Sequence, residues 1–120
     1  MITAKLDRTK GILHVRPSGP LEEADFTMLA ELADPYIAQK GALAGLMVEI
    51  EKFPGWKSLA AMLKHFRFVR SHHRKIRRVA LVTDARVGKI AEKVGRHFIA
   101  AQIKRFPTGH GGEARKWLAG

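Results

Sequence analysis

The segment that most constrains the fold of this chain is a short apolar run at residues 79–82, Val-Ala-Leu-Val, between Arg78 and Thr83. A run of this length without interspersed polar residues is typical of a strand that is covered on both faces. We therefore expect residues 78–83 to form a buried strand in a sheet that carries helices on both sides.

Four further segments have the pattern of strands. Residues 2–7 and 12–16 alternate apolar and polar side chains, which is typical of half-buried strands. A short turn separates these two segments, and strands joined so closely form an antiparallel hairpin. Residues 45–50, Gly-Leu-Met-Val-Glu-Ile, predict a mostly buried strand, and residues 102–106 predict a short last one.

The first helix is predicted between the hairpin and the strand at residues 45–50. The apolar side chains that recur there at helical spacing are Phe26, Leu29, Leu32, Ala33, Tyr36 and Ile37. Pro35 lacks an amide donor and crowds the preceding turn, so it predicts either a kink near Asp34 or two short helices. Gly41 is expected to end this helical region.

Three further helices follow from the same spacing. The apolar stripe of the second helix is Leu59, Met62, Leu63, Phe66 and Val69. The apolar stripe of the third helix is Val87, Ile90, Ala91, Val94 and Phe98. Ser58, or the residue before it, is placed to cap the second helix, and residues 113–118 predict a short fourth helix.

The resulting order of elements is β-β-α-β-α-β-α-β-α. Alternating strands and helices favour a parallel sheet with right-handed crossovers, and the opening hairpin adds one antiparallel pair. The expected fold class is therefore α/β, with a mostly parallel five-stranded sheet, an N-terminal antiparallel hairpin and flanking helices. A length of 120 residues predicts a single domain over residues 1–120.

Composition excludes several classes of protein. The longest strictly apolar runs have four residues, far fewer than the roughly 20 residues of a membrane span, so we expect a soluble, cytoplasmic protein. Without cysteine the chain has no disulfide, no thiolate zinc site and no cysteine nucleophile. We expect His65, His72 and His73 to be surface or packed imidazoles rather than metal ligands. Neither a metal nor another cofactor is therefore expected. No catalytic motif is visible, and no catalytic residue is predicted.

Charge is distributed unevenly along the chain, which has a net charge of +11. Residues 1–51 contain five basic and eight acidic groups, a net charge of −3, whereas residues 52–120 contain 17 basic and three acidic groups, a net charge of +14. Such a field attracts anionic partners, including nucleic acid and acidic membrane surfaces. The alternative is a basic surface that serves only solubility.

The densest charge lies between residues 64 and 78, where seven basic residues occur without an acidic one. The residues predicted to bind an anion are Lys64, Arg67, Arg70, Arg74 and Lys75. Lys64, Arg67 and Arg74 share one face at helical spacing, opposite the apolar stripe of the second helix. Alternatively, these cations only interact favourably with the negative end of the helix dipole at the C-terminus. Because no groove-entering motif is visible, specific recognition of nucleic acid is not expected.

A second candidate site is the aromatic loop, residues 53–56 with the sequence Phe-Pro-Gly-Trp. This loop follows a predicted parallel strand, which is where open α/β sheets place their ligand crevice. The residues predicted to bind a ligand there are Phe53, Gly55, Trp56 and Ser58. Alternatively, the two aromatic rings only cover the edge of the core and Ser58 only caps a helix.

The chain resembles the SpoIIAA-like family, small bacterial proteins of the STAS or SEC14-like type. The segments that carry the resemblance are the early hairpin, residues 46–56, the helix with Phe66, Phe68, His72 and His73, the strand at residues 78–82, residues 103–106, Ala114, Trp117 and Leu118. In the wider STAS group, a Ser or Thr in an Asp-Ser-Gly type loop is a phosphorylation switch. The corresponding loop of this chain, residues 51–58, lacks that motif, so the resemblance does not extend to the switch.

The resemblance and the charge together predict a non-enzymatic binding or regulatory module whose basic face engages an acidic protein, a lipid head group or another anion. The alternatives are an enzyme or small-ligand carrier with a pocket near the aromatic loop, and non-specific nucleic-acid binding. Phe68 lies off the main apolar stripe, and Trp117 and Leu118 lie near the end of the chain. Burying them requires a partner surface or an inward-turned terminus, so we expect a homodimer built on apolar helix surface.

Overall fold

Five strands form one sheet and lie side by side in the order in which they occur in the sequence. A computed structural model describes the backbone of residues 1–120 and every side chain except those of residues 87, 88, 94 and 96–98. The strands are β1 (Ile2–Asp7), β2 (Ile12–Pro17), β3 (Leu43–Glu49), β4 (Ile76–Val82) and β5 (Gln102–Phe106). β1 and β2 are antiparallel, and all other neighbours are parallel. The predicted α/β sheet with its N-terminal antiparallel hairpin is confirmed.

Four helices connect or follow the strands. They are α1 (Glu23–Lys40), α2 (Leu59–His72), α3 (Arg86–Phe98) and α4 (Gly111–Ala119), with a short 3₁₀ turn at His73–Lys75. Over the residues that the structure describes, no helix combines the length and the hydropathy needed to cross a membrane. In the predicted stripe of α3, the side chains of Val87, Val94 and Phe98 lie outside the described residues. Ile90 of that stripe is exposed.

Helices cover both faces of the sheet, as predicted. On one face, α1 and α2 pack against side chains such as Leu13, Val15 and Leu43 in the larger apolar cluster. On the other face, Ala114 and Leu118 of α4 belong to the smaller cluster. α4 packs mainly on β3 and β4, so the central parallel strands have apolar contacts on both sides.

α1 is one continuous helix that contains Pro35, so the alternative of two short helices is wrong. The helix continues through Pro35 because buried side chains hold it to the core on both sides, with Leu29 and Ala33 before the proline and Tyr36 after it. This packing outweighs the loss of one backbone hydrogen bond. Gly41 ends the helix as predicted, with a positive φ of 90° and its amide bonded to the carbonyl of Ile37.

The apolar stripe predicted for the buried face of α2 is wrong in part. Leu59, Leu63 and Phe66 form an outer stripe, and their exposures are 68%, 45% and 52%. The side chains of α2 that face the core are Ala61, His65, Phe68 and His72. This inward set also has helical spacing, but its two histidines count as polar in a hydropathy pattern. Phe68, which was expected to need a partner surface, packs on the core instead.

The C-terminal helix turns its apolar residues inward. Leu118 is 3% exposed. The ring of Trp117 lies 5.9 Å from that of Phe106 and 5.2 Å from the guanidinium of Arg78. Of the two alternatives for these residues, the inward-turned terminus is therefore the one that the fold adopts.

Replacing Gly45 with alanine is expected to destabilise the fold. A Cβ atom at position 45 would lie 2.8 Å from the Cβ of Leu118, so α4 would have to shift, and overpacking of this kind costs about 1–3 kcal/mol. Urea denaturation measures the free energy of unfolding. Gly112→Ala is the matched control, because its Cβ would meet nothing within 4 Å. That variant should be at least as stable as the wild type, because alanine is the better helix former, and a Gly45→Ala variant of unchanged stability would contradict the described packing.

Candidate functional site

An apolar cavity of about 390 Å³ lies between the sheet and the α1–α2 layer. It is located near the carboxyl ends of β3 and β4 and beneath the aromatic loop. The described side chains that line it include Val15, Leu21, Phe26, Leu46, Val48, Ile50, Phe53, Trp56, His65, Phe68, Leu81, Thr83 and Ala91. This is the crevice position expected for a parallel α/β sheet.

Main-chain hydrogen bonds tie the aromatic loop to the start of α1. The amide of Leu21 donates to the carbonyl of Gly55 at 2.8 Å, and the amide of Lys57 donates to the carbonyl of Leu21 at 2.8 Å. Gly55 has a φ of 78°, a conformation that favours glycine, and a Cβ there would meet no atom within 4 Å. The loop therefore depends on Gly55 for its backbone path rather than for space.

The four residues predicted to bind a ligand have different positions. Phe53 and Trp56 line the cavity, whereas Gly55 and Ser58 are not among the residues that line it. Ser58 Oγ accepts a hydrogen bond from the amide of Ala61 at 3.0 Å. The interpretation of Ser58 as a helix N-cap is therefore confirmed.

Aromatic side chains build the wall of the cavity between the loop and α2. The Trp56 ring contacts Phe53 edge-on at 4.9 Å and Phe66 edge-on at 5.8 Å. The indole Nε1–H of Trp56 donates to Nδ1 of His65 at 3.1 Å. His65 in turn stacks on Phe26 at 4.8 Å. His65, which was expected only to be a surface or packed imidazole, is thus the polar contact that orients Trp56.

His65 is neutral in this arrangement for two independent reasons. Burial lowers the pKa of its imidazole below the ordinary value of 6.5. Nδ1 also accepts the Trp56 hydrogen bond, which requires that this nitrogen carry no proton. The other polar side chain of the described lining, Thr83, accepts a hydrogen bond at Oγ1 from the amide of Ala85 at 3.0 Å. The cavity therefore offers a neutral, mostly apolar environment.

The five residues predicted to bind an anion do not converge on one point. Lys64 and Arg67 line a groove between α1 and α2, and the ammonium of Lys64 donates to Thr27 Oγ1. Arg70 is exposed in the last turn of α2, and Arg74 and Lys75 are exposed in the 3₁₀ turn that follows. Among the described side chains, no carboxylate lies within 4 Å of any of these five cations. They form an unpaired basic surface along α2.

A Ser-His-Asp arrangement in the same groove was missed by the sequence analysis, because no motif links its members. Ser71 Oγ lies 2.8 Å from Nδ1 of His72, and Nε2 of His72 lies 2.7 Å from Oδ1 of Asp34. Nδ1 also lies 2.9 Å from the carbonyl oxygen of Phe68, which can only accept a hydrogen bond. The imidazole thus faces an acceptor on each side, so it clamps α1 to α2 and is not placed to activate Ser71.

Within the described part of the chain, no three histidine and acidic side chains lie close enough together to hold a metal ion. The groups that the cavity offers to a ligand are those of its described walls. Those walls provide apolar contact, one neutral imidazole and one hydroxyl group. Such a surface suits binding of an apolar molecule.

Comparison with known families agrees with the fold. The sequence model of the SpoIIAA-like family matches residues 12–119. This chain belongs to the SpoIIAA-like family, as the resemblance noted from its sequence indicated. No curated protein matches the chain significantly.

Among solved structures, the chain is similar to the crystal structure of an uncharacterised protein of the DUF3478 family with a SpoIIAA-like fold, from Shewanella loihica PV-4. The TM-score is 0.79 at 22% sequence identity, and the match covers 98% of this chain and 93% of that chain. At this level of identity the similarity shows the fold.

The stability of the protein is expected to decrease on acidification in a way that depends on His65. Because its folded-state pKa is below 6.5, the unfolded chain binds the proton more readily. The stabilisation is complete above the unfolded pKa and is lost as the pH falls through 6.5 toward the folded value. Urea midpoints at about pH 7.5 and about pH 5.5 test this.

The matched variants for this experiment are His65→Phe and His110→Gln. Phenylalanine keeps a ring against Phe26 but cannot bind a proton, so the drop in stability between the two pH values should be smaller than in the wild type. His110 is exposed and does not line the cavity, so its variant should keep the full drop. An equal drop in the wild type and His65→Phe would contradict the prediction.

Proposed function

We propose that this protein is a non-enzymatic binding module that holds a small apolar molecule in the cavity beneath the aromatic loop. The observation that carries this proposal is the composition of the described cavity lining, in which His65 and Thr83 are the only polar side chains. Ligand pockets are typically apolar with a few polar groups that orient the ligand. His65 and Thr83 have that role here.

The size of the cavity supports a ligand larger than a single ring. A cavity of roughly 150 Å³ holds benzene, and this one has about 390 Å³. A charged group inside it would lose its hydration without gaining a charged partner, since the lining supplies none. The part of a ligand that enters the cavity is therefore uncharged.

A cytoplasmic location, expected from the short apolar runs of the sequence, belongs to the same proposal.

The unpaired basic surface of α2 favours a second candidate function. In this alternative, Lys64, Arg67, Arg70, Arg74 and Lys75 engage an acidic protein, a lipid head group or another anion. Cations that form no ion pair with a described carboxylate remain available to an external anion. The homodimer expected from the sequence stays a prediction, and the outer stripe supplies apolar surface for it.

Binding of a neutral fluorescent probe, N-phenyl-1-naphthylamine, tests the cavity. Ala91 lines the cavity but is exposed, so Ala91→Trp should fill part of the cavity without disturbing the core. We expect its affinity for the probe to fall at least about tenfold, equivalent to roughly 1.4 kcal/mol. Fluorescence titration provides the dissociation constant.

The control for the cavity experiment is Ala119→Trp, which adds the same side chain at an exposed position in α4. This variant should bind the probe like the wild type, and added salt should not weaken the binding, because apolar contact is not screened. Equal probe affinity in Ala91→Trp and the wild type would overturn the cavity as the binding site.

Charge reversal tests the second candidate. The double variant Arg70→Glu/Arg74→Glu should lose most binding to heparin at low salt, whereas two reversals elsewhere, Arg8→Glu/Lys10→Glu, should lose much less at the same net charge. Elution from a heparin column at increasing salt measures this effect, since phosphate-like contacts give a steep salt dependence. Equal losses in the two variants would indicate only a general effect of net charge and would reject the basic surface of α2 as a site.

A further inference from the structure

The apolar cavity adjoins a polar cleft that the proposed function leaves unused. This cleft has a volume of about 670 Å³ and lies among the end of β2, the end of β3 and the turn before α4. Pro17, Ile50 and Pro54 line both the cavity and the cleft. One extended ligand could therefore occupy the two spaces together.

The charges of the cleft are arranged so that its cations are more available than its acids. Glu49 is already paired with Arg16, whose Nη2 lies 3.3 Å from one carboxylate oxygen, and Nε2 of His14 lies 2.8 Å from the other. Arg16 has five N–H donors, and its side chain is 62% exposed, so donors remain free for a ligand. Lys52 is exposed, and no described carboxylate lies within 4 Å of its ammonium group.

Glu51 is the remaining acid of the cleft. Its carboxylate repels an anion in the cleft, but the net charge of +11 attracts anions to the molecule as a whole. The described lining of the cavity offers an anion no charged partner, because the imidazole of His65 is neutral when its Nδ1 accepts from Trp56. An acidic group attached to an apolar chain would therefore remain in the cleft, next to Arg16 and Lys52.

We propose that the natural ligand is a single-chain amphiphile whose apolar chain fills the cavity and whose anionic head group lies in the cleft beside Arg16 and Lys52. This inference rests on the proposed function, since it requires that the cavity bind an apolar group. At roughly 30 Å³ for each water-sized group, a cavity of about 390 Å³ holds a chain of about a dozen methylene groups. A carboxylate and a phosphate monoester share the required head-group chemistry.

The test is a series of ligands with one chain and different head groups: dodecanol, dodecanoate, dodecyl phosphate and dodecyltrimethylammonium, each below its critical micelle concentration. Binding is measured by titration calorimetry and by the fluorescence of Trp56 in a Trp117→Phe background. We expect at least one of the two anions to bind at least tenfold more tightly than dodecanol. The cation should bind most weakly. The comparison of dodecanoate with dodecyl phosphate identifies which anionic head is preferred.

Variants separate the cleft from the general positive charge of the protein. Arg16→Gln/Lys52→Gln should weaken binding of the preferred anion about tenfold and leave dodecanol unchanged. The control Arg8→Gln/Lys10→Gln has the same net charge and should keep anion binding. Because Arg16→Gln removes the contact with Glu49, Lys52→Gln alone serves as a variant at an exposed position without such a contact and should show a smaller loss of the same kind.

The outcomes distinguish this inference from the proposed function. If dodecanol binds as tightly as both anions and the cleft variants leave anion binding unchanged, the proposal of an anionic amphiphile is overturned. The proposal of an apolar binding site then remains. If both pairs of variants weaken the anions equally, the head group is not held in the cleft, and the inference is also overturned. If no member of the series binds, the inference and the apolar site both fail.

Discussion

Coverage of both faces of the parallel strands β3 and β4 is the constraint on which the rest of this structure depends. Parallel strands leave no face for solvent, so each face needs its own layer of helices. On one face α4 approaches so closely that only glycine fits at position 45 opposite Leu118. On the other face, both α1 and α2 cover the sheet. The two layers therefore differ in how closely they approach the sheet.

Incomplete closure of the α1–α2 layer creates the cavity. α2 presents the small side chain of Ala61 and the rings of His65 and Phe68 toward the sheet, while Leu59 and Leu63 face outward. The aromatic loop closes the space above the strand ends, where Trp56 is held by both a main-chain bridge to Leu21 and the hydrogen bond to His65. The cavity thus results from the rotation of α2 about its axis. The hydrogen bonds of His65 and His72 to their partners stabilise this rotation.

The sequence predicted the sheet, its hairpin, the helix cap at Ser58 and the position of the aromatic loop, because each depends on local pattern. It did not predict the face of α2 that is buried, since hydropathy treats His65 and His72 as polar whereas pairing with Trp56 and Asp34 makes their burial favourable. The path of α1 through Pro35 was also ambiguous. Its outcome is determined by tertiary packing, which outweighs a local propensity. The cavity and the polar cleft adjoin because three loops that are distant in sequence lie close together in the fold. Local sequence patterns do not predict such long-range proximity.

The order of the strands has an electrical consequence. Because β1 to β5 lie in sequence order, the uneven distribution of charge along the chain becomes a gradient across the sheet. Strands β1 to β3 carry two basic and two acidic residues, whereas β4 and β5 carry four basic residues, Arg77, Arg78, Lys104 and Arg105, and no acidic one. The β4–β5 edge is therefore the most positive part of the sheet. An anion that approaches the sheet from its edge meets the stronger attraction at β5.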